Sequence, residues 1–298
     1  MTRRGWLLFS AMCVLWGMPY LLIKIAVEEL SPAQLVLLRT GFAAALLLPY
    51  ALWKRQVGPA LRHWKPVLGF ATLELVVPWY LLSSAETRLS SSLTGLLVAA
   101  VPLVAAFVAR AVGHGERLSP IRSLGLALGF AGVGALVGFD VRGGDLVAVG
   151  EVAVVVVCYA TAPLIASRWL NDVPATGITA VSLTVTALLY LPFGAPGLEV
   201  PSGRVVLAVA VLTLACTVAA LLAFFALIAE AGPQRALVIT FVTPAVALLL
   251  GIWLLSEPLT LGALVGLPLI VAGCALATRA TVASTVDDEV LAEPVVRS

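Results

Sequence analysis

Few ionisable groups lie inside apolar stretches, and those are the ones placed to do chemistry. Arg39 stands in the run Pro32–Trp53 and Glu74 in the run Pro66–Ser84. At ~1.5 Å of helix per residue, Arg39 lies roughly 10 Å below one membrane surface, too deep for easy snorkelling, and Glu74 lies near the midplane. A charge at that depth is costly and marks a functional site by default. A carboxylate there can bind a proton facing one side and release it facing the other, which makes Glu74 the candidate proton-coupling residue. Arg39 is its nearest candidate partner, about 8 Å away in depth. The competing reading is a static Glu74–Arg39 pair that only joins two helices. Every other acid falls at a helix end, in a connection or in the tail. Trp16, Tyr20, Trp79, Tyr80, Tyr159, Phe224 and Phe225 lie away from most predicted membrane edges. With Arg39 and Glu74 they are the candidate lining of a substrate cavity; ordinary helix–helix packing is the alternative. Trp6, Trp53, Trp64 and Trp169 sit at edges and read as interfacial anchors.

Other chemistries are poorly supplied. His63 and His114 fall in polar connections, and the chain has neither HExxH nor GxxxxGK[ST]. Cys13, Cys158, Cys216 and Cys274 have neither disulfide-framework nor metal-ligand spacing. No metal site and no cofactor are expected. A net charge of +2 with no basic stripe gives nucleic acid nothing to bind. An intramembrane enzyme is therefore disfavoured; a channel or a non-transporting receptor is the other competing class.

The elements that must position these residues are membrane helices. Of the 298 residues, 61% are hydrophobic and 11% charged, and the mean hydropathy is +1.08, against roughly 25% charged in a soluble domain. A bilayer core of ~30 Å needs ~20 apolar residues per helix. Ten spans follow: Trp6–Val27, Pro32–Trp53, Pro66–Ser84, Ser91–Val112, Pro120–Phe139, Leu146–Arg168, Ala175–Phe193, Arg204–Ala229, Ala236–Leu255 and Leu259–Thr278. Residues 1–5 form a short N-terminal segment, and span 1 is retained rather than cleaved as a leader. Residues 280–298, with Asp287, Asp288 and Glu289, read as a disordered tail.

The chain is built twice. In Leu93–Pro120, Pro102 precedes Gly115-Glu116-Arg117; in Leu237–Thr260, Pro244 precedes Glu257-Pro258. The proline-to-glutamate separations are 14 and 13 residues. Span 1 carries Pro19 with Lys24 five residues on, and span 6 carries Pro163 with Arg168 five residues on. The four prolines are candidate kinks, because each removes a backbone hydrogen bond in an apolar run. Lys24 and Arg168 lie near span ends, where snorkelling competes with a gating or anion-contact role. Glu116 and Glu257 lie beside helix starts, where a carboxylate favours the positive end of the next helix. Two glycine faces, Gly125/Gly129/Gly132 and Gly262/Gly266, suit close static packing.

Lysine and arginine orient the chain. With the N-terminus cytoplasmic, thirteen lie inside and three outside (Arg88, Arg142 and Arg204), Lys24 and Arg39 being within spans. Both termini are then cytoplasmic in a cell membrane. A unit of five spans is odd, so the second unit enters from the opposite side and the repeats are inverted. Inverted repeats in a polytopic chain characterise alternating-access transporters, with the site near the midplane.

These residues resemble the EamA repeats of the drug/metabolite transporter superfamily. The pattern reads Ser90-Ser91-Ser92, Pro102, Gly115-Glu116-Arg117-Leu118, then Gly125, Gly129 and Gly132. The second copy reads Ala236, Pro244, Ser256-Glu257-Pro258-Leu259, then Gly262, Gly266 and Gly273. Trp16-Gly17 and Arg39 also fit the first repeat. Ser256 stands where glycine is usual, and Val181 lies where a second Arg39 would fall. The resemblance implies an all-α fold of ten spans, with repeats over 6–139 and 146–279 around a central cavity. It further implies a secondary transporter exporting amino acids, related small metabolites or drugs, with uptake or exchange as the alternative. The expected partners are a small-molecule substrate, the lipid bilayer and, if transport is proton-driven, protons. Ten spans can enclose a cavity in one chain, so a monomer is the default.

Overall fold

Serine and proline set where the spans begin. Ser31 caps span 2 reciprocally with Gln34, and Pro32 takes the first helical position, where its missing N–H costs nothing. Ser90 caps span 4 and Ser202 caps span 8, each hydroxyl accepting the N–H three residues on. The computed structural model describes residues 2–111, 120–141, 145–231 and 238–291, with side chains for all of these except 109–111, 222, 225 and 278–291. The described residues are helical, without strands. Seven helical stretches are long and apolar enough to cross a membrane, and Gly203–Ala219, Ile239–Leu255 and Leu261–Ala277 are shorter apolar stretches. Together these occupy the ten expected spans. A short helix, Val57–Arg62, fills the connection between spans 2 and 3.

The packing has two-fold logic. Span 5 packs most heavily on span 10 and span 2 on span 7, and span 4 also packs on span 9. The remaining large contacts come in exchanged pairs: span 3 with span 6 mirrors span 8 with span 1, and span 4 with span 6 mirrors span 9 with span 1. This is the contact pattern of two five-helix repeats facing each other about a shared axis. Span 5 meets span 10 through the glycine faces, where the two backbones come close enough that a Cβ on Gly132 would sit 2.8 Å from the Gly266 carbonyl oxygen.

Within this symmetry the repeats differ locally. Span 1 breaks at Met18 into Arg3–Gly17 and Pro19–Ala26, and span 4 breaks into Ser91–Val98 and Val101–Ala111 just before Pro102. Pro163 and Pro244 instead lie inside unbroken helices, Leu146–Trp169 and Ile239–Leu255. Spans 3 and 8 share another feature: each contains a π-helical turn, Thr72–Val76 and Leu214–Ala219. Such a turn shifts the register of the side chains beyond it and recurs at functional sites.

One helix boundary differs from expectation. The last helix runs over Leu261–Leu291, past the expected span end at Thr278. Extending an existing helix adds a hydrogen bond per residue without a new nucleus. The Glu116 elbow and residues 292–298 lie outside the described residues.

Candidate substrate cavity

A cavity of about 400 Å³ lies between the repeats, within the size range of small-molecule sites. Six residues singled out in the sequence share its wall: Trp16, Tyr20, Arg39, Glu74, Trp79 and Tyr159. Three of the four candidate kinks, Pro19, Pro102 and Pro244, also line it. Pro163 is exposed on the outside of span 6. Tyr80 is not in the lining; it is 39% exposed and stacks on Tyr190 with ring centroids 6.0 Å apart. Phe224 stands behind the wall, 4.8 Å from the Trp16 ring. The Phe225 side chain lies outside the described residues.

The two π turns place the polar part of the site. The turn in span 3 carries Glu74, and the turn in span 8 carries Cys216 and Thr217. Thr217 donates its hydroxyl to the Leu212 carbonyl five residues back at 3.0 Å, and accepts from Arg39 Nε at 3.1 Å. The Tyr190 hydroxyl reaches across from span 7 to the Val76 carbonyl at 2.9 Å. Carbonyls that a π turn displaces from the usual helical ladder thus find hydroxyl partners, as backbone in an apolar medium must.

Arg39 is buried with its guanidinium carbon 3.5 Å from the Trp79 ring centroid, a cation–π contact in place of a carboxylate. Among the described residues no ion pair joins Arg39 to Glu74. The expectation that Arg39 pairs with Glu74 is therefore corrected: helical rise fixes depth, but the side that each residue faces is set by packing. Glu74 makes no hydrogen bond among the described residues and faces the cavity. The single base and the single acid in the described wall come from different spans, and each leaves polar atoms for a ligand. Sequence reasoning missed Thr217, Cys216, Thr179, Thr240 and Thr243, which also line the cavity. Lone threonines in apolar runs were the available signal, but nothing in composition marks a π turn.

The cavity is closed at one end. Its lining residues Ile23, Leu82 and Gly95, near the end where span 1 finishes, are buried, whereas Phe70, Thr179 and Thr240 at the end where the chain begins are half-buried. We call these the distal and proximal ends. Polar ties concentrate above the distal floor. Lys24 donates to the carbonyls of Glu86 at 2.6 Å and Leu89 at 2.8 Å, closing the C-terminal end of span 3. Glu257 accepts from the Ser91 and Ser92 amides at 2.8 and 3.0 Å and from the Ser92 hydroxyl. It therefore caps span 4, not the helix that follows it, because the fold brings that other N-terminus closer. Asp140 accepts from Thr260 at 2.6 Å and the Gly262 amide at 3.1 Å. Arg88 pairs with Glu151 at 2.7 Å, Arg204 pairs with Glu28 at 3.0 Å, and Glu29 accepts from the Ser202 amide and hydroxyl. Those two Ser202 bonds hold the Glu29 carboxyl below the usual carboxylate range, with Arg204 adding a smaller effect. Arg168 lies at the proximal surface over the Trp169 ring, 5.0 Å from its centroid.

Comparison with known proteins places this geometry. A model of the EamA-like transporter family matches residues 3–138 and again 147–279. The uncharacterized inner membrane transporter YedA of Escherichia coli (strain K12) is 27% identical over 259 residues, covering 84% of this chain and 82% of YedA. The uncharacterized transporter YvbV of Bacillus subtilis (strain 168) is 26% identical over 279 residues, covering 91% and 90%. A crystal structure described only as that of a protein superposes with a TM-score of 0.66 at 22% identity, over 96% of this chain and all of its own. That last likeness concerns the fold alone.

Proposed function

This chain belongs to the EamA-like transporter family, and from that premise we propose that it is a secondary transporter exporting amino acids or related small zwitterionic metabolites by alternating access. The observation that carries the reading is the separate placement of Arg39 and Glu74 in one aromatic cavity. They are the two charged groups in its described wall. A base and an acid not spent on each other suit a ligand with both a carboxylate and an ammonium. One cation does not suit a multiply charged anion. Trp16, Tyr20, Trp79 and Tyr159 offer faces for the ligand's body.

The broken spans 1 and 4 against the unbroken spans 6 and 9 support alternation. Two equivalent repeats held in unlike conformations are what a carrier open to one side requires, and exchanging those conformations opens the other side. The thirteen-to-three distribution of basic residues makes the proximal end cytoplasmic, so the cavity described is inward-open. A thermal-shift screen of amino acids on purified protein, followed by counterflow in proteoliposomes, tests the reading. Stabilisation and exchange by a zwitterion are expected. Exchange confined to neutral or singly charged compounds would overturn it.

Glu74 is the proton-coupling residue of this scheme. Glu74→Gln is expected to abolish accumulation driven by an imposed pH gradient while sparing counterflow. Normal gradient-driven accumulation by Glu74→Gln removes Glu74 from the coupling role.

A further inference from the structure

A second carboxylate, which the reading above does not use, lies beneath the distal seal. Glu86 is 0% exposed, and neither carboxylate oxygen has a hydrogen-bond partner among the described residues. The Ser91 hydroxyl, at the start of span 4, is likewise buried and without a partner among the described residues. Lys24 is close enough to act on Glu86 electrostatically, yet its ammonium is engaged with the backbone carbonyls of Glu86 and Leu89 rather than with the carboxylate. Glu257 also acts on Glu86, with the unfavourable sign, but is itself satisfied by the amides of Ser91 and Ser92 and the Ser92 hydroxyl.

The charges around Glu86 are already matched. Glu257 sits on the positive end of span 4 and Lys24 on the negative end of span 3. From span 6, Glu151 is taken by Arg88 and Ser84. Arg39 of span 2 faces Trp79 and Thr217, and Tyr20 of span 1 carries no charge to offer. A buried carboxylate anion without donors is strongly disfavoured. A metal cation in its place would face the Lys24 ammonium, whereas a covalently held proton removes the charge and adds none.

We propose that Glu86 is a second proton-binding residue of the transporter, protonated while the distal end is sealed and deprotonated to the distal side when it opens. The proposal rests on the alternating-access reading. On opening, Lys24 leaves the two carbonyls, water reaches Glu86, and the O–H bond breaks. The proton passes to distal water and the carboxylate pairs with Lys24. Distal acid therefore holds the seal shut and distal alkali favours opening.

Cys216, in the cavity wall, is a native reporter. Its labelling by a membrane-impermeant maleimide is measured in sealed vesicles of each orientation. The distal rate is divided by the proximal rate at the same pH to cancel thiol reactivity, and Cys216→Ala supplies the background from the other cysteines. One proton lost on opening changes the open-to-sealed ratio by up to about tenfold per pH unit. The distal-to-proximal ratio of the parent is expected to rise at least about tenfold from pH ~6 to pH ~8. In Glu86→Gln it is expected to stay low and flat. A flat parent, or a Glu86→Gln variant that keeps the slope, overturns the proposal. Should Glu86→Gln fail to insert, Glu86→Asp must move the midpoint of the pH dependence, and an unmoved midpoint overturns it. Glu257→Gln, which weakens the seal independently, separates the two readings. Distal labelling there with a pH-insensitive parent sinks Glu86 alone. No distal labelling in any variant sinks alternating access as well.

Discussion

Gly132→Ala tests whether the close approach of spans 5 and 10 holds the repeats together. The added Cβ would lie 2.8 Å from the Gly266 carbonyl oxygen and 2.9 Å from the Ile270 amide nitrogen and Cγ1. Ordinary contact starts at 3.4 Å, so span 10 must retreat by about 0.6 Å. Two of the three obstacles are backbone atoms of a helix, which no rotamer change can clear. Overpacking of this kind costs typically ~1–3 kcal/mol. The helix-propensity gain of alanine over glycine, up to ~1 kcal/mol in water, offsets little of it, because a membrane span remains helical when its packing is lost. The control is Gly134→Ala on the same span, where an added Cβ meets nothing within 4 Å, so a change within about ±0.5 kcal/mol is expected. Thermal unfolding of both variants in one detergent should place Gly132→Ala about 1–3 kcal/mol below Gly134→Ala. Equal or higher stability of Gly132→Ala would refute the argument that these backbones set the interface.

Thr217→Val keeps the shape of the side chain but removes the acceptor that positions Arg39 Nε. Losing one hydrogen bond of ~1 kcal/mol should weaken substrate binding about fivefold with unchanged folded yield, and titration calorimetry against the ligand found by the screen checks it; unchanged affinity would show that Trp79 alone places Arg39. Glu29 gives a pH prediction at the distal surface. Its carboxyl is held low by Ser202, so its contribution is present above the ordinary carboxylate range and is lost as pH falls through the depressed folded value. Acid melting curves of Glu29→Gln should therefore fall less steeply below pH ~4.5 than those of the parent; parallel curves would show that the Ser202 tie contributes nothing.

Hydropathy by itself determined that the chain spans a membrane about ten times, and the repeated Pro…Glu and glycine patterns showed that it is built twice. These readings hold because lipid forces every span to satisfy its own backbone, so length and apolarity suffice. Depth was equally legible: Arg39, Glu74, Trp16 and Tyr159 share the described cavity because helical rise converts position into height. What remained hidden is rotational and pairwise. Tyr80 is one residue from Trp79, yet a rotation of 100° sends it to the Tyr190 side and out of the lining. The π turns that bring Glu74 and Thr217 into the wall depend on partners such as Tyr190, from another span. Glu257 was legible as a helix cap, but the helix it caps is 165 residues away in sequence. Glu86 stands near a span end, where an acid ordinarily meets water, and only packing, with Lys24 and Glu257 close by, leaves it buried and its carboxylate without a hydrogen-bond partner among the described residues. Burial of an end residue depends on which other chain segments close over it, and that is decided by the tertiary structure.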